Sequence, residues 1–167
     1  MKVLITYASK TGNTEKVAQS IAKAIPNSEC VKLPTEKNAQ DYDLIFCGFW
    51  CDKGQPDDEW KVFYETTKSV PTAVFGTLGG EPNSEGGLKF VQKVKEQINK
   101  PSLVDLRLWQ GKVDPKIIEI MTKMSGKPMT EERKKRLDEA AKHPDSKDLT
   151  EAAEWGLEIF KSLQTKE

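Results

Sequence analysis

Short, wholly apolar stretches alternate with amphipathic ones along most of the chain. Residues 2–8 (KVLITYA) are apolar and β-branched, as suits a strand buried on both faces. Residues 13–24 then place Val17, Ile21 and Ala24 at helical spacing, with Ala18 and Ala22 beside them, and Pro26 and Asn27 end the helix. ECVKL (29–33) reads as a second strand closed by Pro34, and YDLIFCGF (42–49) as a third, the strongest apolar run. DDEWKVFYETTK (57–68) predicts a helix with an acidic first turn, in which Trp60 is spaced with Phe63 and Tyr64 for core packing. PTAVFGTL (71–78) is the fourth strand, SEGGLKFVQKVKEQI (84–98) a helix with Ser84 as its cap, and SLVDLRLW (102–109) the fifth strand. A last helix covers about 149–163, with Leu149, Ala153, Leu157 and Phe160 on one face.

Strand and helix taking turns in this way predicts an α/β fold: a doubly wound, five-stranded parallel sheet with helices on both faces. Ligands of such sheets bind beyond the carboxyl ends of the strands, where the winding changes direction. The segments in those places are SKTGNT after the first strand, WCDKGQPD after the third, GTLGGEPNS after the fourth and QGKVDP after the fifth.

At 167 residues the chain fits one domain, residues 1–167, with an additional helical segment at about 111–147 between the fifth strand and the last helix. Within that segment Thr130, followed by Glu132 and Arg133, signals a helix start, and ERKKR is a local basic cluster. Charges balance at 26 against 26, which lacks the basic excess of a nucleic-acid binder. No apolar run reaches the roughly 20 residues that span a bilayer, so no membrane association is expected. The N-terminus has one Lys and no long apolar stretch, so no signal peptide is expected. Cys30, Cys47 and Cys51 form neither a disulfide framework nor a zinc pattern; they fit a reduced, cytoplasmic setting, and no metal is expected. Cys47 is placed between sheet and helices, Cys51 as a plain small residue, and His143, the single histidine, on the surface. No catalytic residue is nominated.

Ser9, Thr11, Asn13 and Thr14 crowd around Gly12 where a strand meets a helix. A helix N-terminus offers unpaired N–H groups and the positive end of its dipole, so amides and hydroxyls gathered there make an anion site. One of these residues could instead simply cap the helix, but the cluster is denser than one cap requires. The runs of a triphosphate loop and of a dinucleotide fingerprint are both missing.

SKTGNT (Ser9, Lys10, Thr11, Gly12, Asn13, Thr14) matches the [ST]-x-T-G-x-T phosphate loop of flavodoxins, which bind flavin mononucleotide (FMN). The chain resembles that flavodoxin-like family over about residues 1–110 and 148–163. The resemblance implies strand order 2-1-3-4-5 and FMN as cofactor. It also implies that the loops after strands three and four flank the isoalloxazine ring. Trp50 would then stack on the ring, and Asp52, Lys53 and Gly54 would form a turn whose peptide can flip beside the flavin N5. Thr77, Leu78, Gly79 and Gly80, with Gly76, would let the backbone approach the pyrimidine end.

Three departures bear on function. Flavodoxins usually place a Tyr where this chain has Thr77 and Leu78, which leaves one ring face more open. They are usually strongly acidic, whereas this chain is neutral. Their last connection is also shorter. The run GFWCDKGQPD, GTLGGEP and QGKVDPK weakly resembles a flavodoxin-like subgroup associated with bilin reduction. The resemblance thus implies an electron-transfer protein that exchanges electrons with a partner oxidoreductase, its oligomeric state open. Two alternatives stand beside it: an FMN-dependent reductase using NAD(P)H on a planar acceptor such as a quinone or bilin, and a flavin-free anion-binding or scaffold protein.

Overall fold

The structure is a computed structural model that describes residues 1–165. Its strands are β1 (Val3–Tyr7), β2 (Glu29–Lys32), β3 (Leu44–Asp52), β4 (Gln55–Pro56), β5 (Thr72–Leu78) and β6 (Leu103–Gln110). Its helices are α1 (Asn13–Ala24), α2 (Asp58–Thr66), α3 (Glu85–Ile98), α4 (Pro115–Ser125), α5 (Glu131–Ala140) and α6 (Ser146–Gln164). The parallel sheet runs β2-β1-β3-β5-β6, the expected order of five strands. The sixth, β4, is a two-residue strand not expected from the sequence, and it pairs antiparallel with the end of β3.

The central strands are apolar because both of their faces are covered. All residues of β1 and β5 are buried, whereas β2 at the edge alternates half-buried and exposed residues. On one face, Leu4, Ile45, Cys47, Phe49 and Val74 meet Trp60, Phe63 and Tyr64 of α2 and Val94 and Ile98 of α3. Trp60 stacks on Tyr64 at 4.6 Å between ring centroids and donates its indole N–H to the Cys47 carbonyl. Tyr64 donates to the Ile98 carbonyl at 2.7 Å, tying α2 to α3. On the other face, Val3, Ile5, Phe46 and Phe75 pack against Val17 and Ile21 of α1 and Trp155 and Ile159 of α6.

The buried face of α6 is Ala152, Trp155, Gly156, Ile159 and Phe160; of the expected stripe Phe160 is buried and Leu149 and Leu157 pack half-buried against the same core, so the face is rotated toward Trp155 and Gly156. Close helix contact decides this: a Cβ on Gly156 would lie 2.7 Å from Ile21, so the small residue has to face α1. The α6 N-terminus begins at Ser146, earlier than predicted, because Asp145 and Asp148 form a capping box. The segment before it folds as two helices. Asp114 caps α4 by accepting from the Lys116 amide, Gly126 ends α4 in the left-handed region, and Thr130 caps α5 as its sequence signal predicts. Among the described residues no helix is long and apolar enough to cross a membrane.

Candidate functional site

The winding changes direction between β1 and β3, and a cleft of about 710 Å³ opens beyond their carboxyl ends. Its floor is the β1–α1 loop. Ser9 Oγ accepts from the Gly12 amide at 3.1 Å and from the Glu15 amide at 3.4 Å, which curls the loop over the start of α1. Gly12 sits at φ +94°, where a side chain is strained, and as the N-cap it has no side chain to bond the first-turn amides. Ser9, Lys10, Thr11, Asn13 and Thr14 all line the cleft, whereas Gly12 shapes the loop without lining it. Thr14 does not offer a free hydroxyl. It is fully buried, and its Oγ1 lies 2.8 Å from Thr77 Oγ1 and 3.2 Å from the Phe49 carbonyl, pinning α1 to β3 and β5.

Trp50, Cys51 and Asp52 were expected in a loop, but they extend β3, because β5 pairs with it as far as Trp50↔Thr77 and β4 takes up Cys51 and Asp52. Lys53 (φ +48°) and Gly54 (φ +75°) close a two-residue hairpin of the type that matches strand twist. Lys93 of α3 donates to the Gly54 carbonyl at 3.2 Å. Trp50, Asp52, Lys53 and Gly54 line the cleft; the Trp50 ring is half-buried, and Lys10 Nζ lies 5.4 Å from its centroid. Behind the indole, buried Asp57 accepts from the Trp50 amide at 3.2 Å and the Trp60 amide at 2.9 Å. Burial pushes the Asp57 carboxyl above its ordinary range, and those amides counter the shift. Burial likewise raises the Cys51 thiol, which keeps it from being a reactive thiolate.

Thr77, Leu78 and Gly79 line the third wall, but Gly80 does not. Gly76 serves packing instead of ligand approach: it lies under the Phe49 ring, where a Cβ would come within 2.6 Å of Cζ. Trp109 is buried on the opposite face of the sheet, edge-on to Trp155 and away from the cleft. His143, expected on the surface, is half-buried, with Nδ1 2.5 Å from Asp148 Oδ2. That contact holds its carboxylate partner well enough to push the imidazole above its usual range.

The fourth wall comes from the segment after β6, which the sequence expectation sets over one side of the site without naming the residues that line it. Lys112, Val113 and Asp114 line the cleft, followed by Ile117, Ile120, Met121 and Met124 of α4. Their i, i+3, i+4, i+7 spacing within PKIIEIMTKM was the available signal. Asn13 Nδ2 donates to the Lys112 carbonyl at 2.9 Å, and the Gly111 amide donates to the Leu78 carbonyl at 2.9 Å.

A doubly wound sheet with an anion-type loop after β1, an indole near the end of β3 and a tight hairpin beside it defines a flavodoxin-like protein. The flavodoxin domain family model matches residues 4–155, and the chain belongs to that family. It is 30% identical to the flavodoxin-like domain-containing protein BilS of Clostridioides difficile (strain CD3), over 92% of this chain and 93% of that protein. In fold it is similar to a flavodoxin from the domain Archaea, with TM-score 0.61 and 16% identity over 98% of this chain and 99% of that one. It is also similar to oxidised flavodoxin 2 of Bacillus cereus, with TM-score 0.52 and 16% identity over 97% and 99% of the two chains.

Proposed function

We propose that the chain binds FMN noncovalently in this cleft and passes electrons to or from a partner oxidoreductase. One observation carries the reading: in a chain of the flavodoxin domain family, the β1–α1 loop, Trp50 and the Lys53–Gly54 hairpin line one cleft. The residues fit the group. The start of α1, where N-cap Gly12 offers no side-chain acceptor, and the Thr11 hydroxyl suit a phosphate. The Trp50 face suits a flat ring, and Lys10 adds positive charge on the same side. The hairpin offers backbone amides and carbonyls beside that ring, held from behind by Lys93.

The redox chemistry comes from the flavin when it is bound; the protein orients the ring, limits water around it and sets which edge a partner meets. Asp57 fixes the position of the Trp50 backbone, and Thr14 and Thr77 lock the loop against the sheet. The test is to purify the protein, add FMN, record the visible spectrum and mix with NADPH without oxygen. A yellow protein that bleaches slowly supports a carrier. Fast bleaching by NADPH alone marks a reductase instead. A protein that FMN cannot turn yellow overturns the flavin reading.

A further inference from the structure

We propose that α4 lies against the flavin ring, covering with Ile117, Ile120, Met121 and Met124 what Thr77 and Leu78 leave uncovered; this rests on the FMN reading. These side chains fall on one helical stripe, and the whole stripe faces the cleft. No residue of α4 is buried, and Ile120, Met121 and Met124 are 55%, 55% and 83% exposed. An apolar stripe left this open marks a surface that something covers. The occupant is set by direction. The stripe looks into the cleft shared with Trp50, while Lys116, Glu119 and Lys123 stand exposed elsewhere on α4, with Glu119 and Lys123 paired at 2.7 Å.

The start of α4 is fixed to two other walls. Asn13 holds the Lys112 carbonyl, the Gly111 amide bonds the Leu78 carbonyl, and Gln110 Nε2 donates to the Gly79 carbonyl at 3.3 Å. The helix therefore leaves from the junction of the phosphate loop and the β5 loop, and its apolar side lies along whatever those loops hold. Met and Ile adapt to a flat ring without demanding one stacking geometry, and thioethers make favourable contacts with aromatic rings. The isoalloxazine would thus have an indole among its neighbours on one side and an aliphatic and thioether wall from α4.

The test is oxidation of the methionines by dilute hydrogen peroxide, read by mass spectrometry with and without saturating FMN. Met121 and Met124 oxidise several-fold more slowly with FMN, while Met129, which does not line the cleft, is unchanged. In the triple variant Ile120→Gln, Met121→Gln, Met124→Gln, whose positions are exposed and tolerate polarity, FMN and riboflavin both bind about tenfold more weakly, since they share the ring. Flavin binding that leaves the two methionines unprotected, or variant affinities within twofold of the native ones, overturns the α4 wall alone. A native chain that takes up neither flavin overturns the FMN reading as well.

Discussion

The side-chain amide of Asn13 donates to the main-chain carbonyl of Lys112 at 2.9 Å, joining positions 99 residues apart. Gly111 packs so close to Asn13 that a Cβ there would lie 2.6 Å from Nδ2. The first turn of α1 thereby holds the root of α4. Asn13→Ala should cost up to about 1 kcal/mol, the net worth of one hydrogen bond. It should also speed amide exchange across residues 112–125. Unchanged exchange there would show that other contacts hold α4.

Thr11 and Thr14 should behave differently, although both belong to the same SKTGNT motif. Thr11 is exposed at the cleft, so Thr11→Ala should weaken FMN by about 1–3 kcal/mol and leave riboflavin nearly unaffected, because only the phosphate loses a donor. Thr14 is buried against Thr77 and Phe49, so Thr14→Ala should lower the melting temperature and loosen both flavins. Titrating each variant with FMN and riboflavin separates the two roles.

Trp50→Ala should remove most of the tryptophan quenching that accompanies FMN binding and weaken the flavin by about 1–3 kcal/mol, the range for stacking on an aromatic side chain. Trp109 and Trp155 lie on the far face of the sheet and Trp60 in the α2 core, so none of them should take over the stack. Quenching that persists in full would remove Trp50 from the ring.

Gly76→Ala should destabilise by about 1–3 kcal/mol in urea unfolding, because the added methyl meets the fully buried Phe49 ring. Phe49→Leu should recover part of the loss when the two are combined. If the cost reflected only strand conformation, the second change would bring no recovery.

The pH dependence follows from His143. Its bond to Asp148 raises the imidazole pKa in the folded state, so the stabilisation is full below the unfolded value of about 6.5 and is lost as pH rises through the raised folded value. The melting-temperature gap between the native chain and His143→Gln should be wide at about pH 5.5 and narrow by about pH 8.5. A gap that does not change over that range would mean that the bond does not depend on the charge.

The strands were legible because burial on both faces forces continuous apolar, β-branched runs, as in KVLITYA and PTAVFGTL. The loop after β1 was legible because SKTGNT is contiguous. The end of β3 was less so. Trp50, Cys51 and Asp52 are polar or half-buried and do not look like strand, yet pairing with Thr77 and with the Gln55–Pro56 strand holds them extended. Thr14 reads as a donor in the sequence, and only the approach of Phe49 and Thr77 turns its hydroxyl inward.

By itself the sequence determined the layers and the loop that begins the site, since each depends on residues near one another along the chain; the strand order, which rests on distant pairings such as Val3 with Leu44, came only with the family resemblance. The tertiary structure alone decided that Gly156 seats α6 against α1, why Gly76 must be glycine, and which residues of α4 line the cleft. Those outcomes depend on contacts such as Ile21 with Gly156, Phe49 with Gly76, and Asn13 with Lys112, between segments far apart in the chain. Periodicity marks an apolar stripe such as Ile117–Met124, but what the stripe faces is set by the loops that anchor its helix.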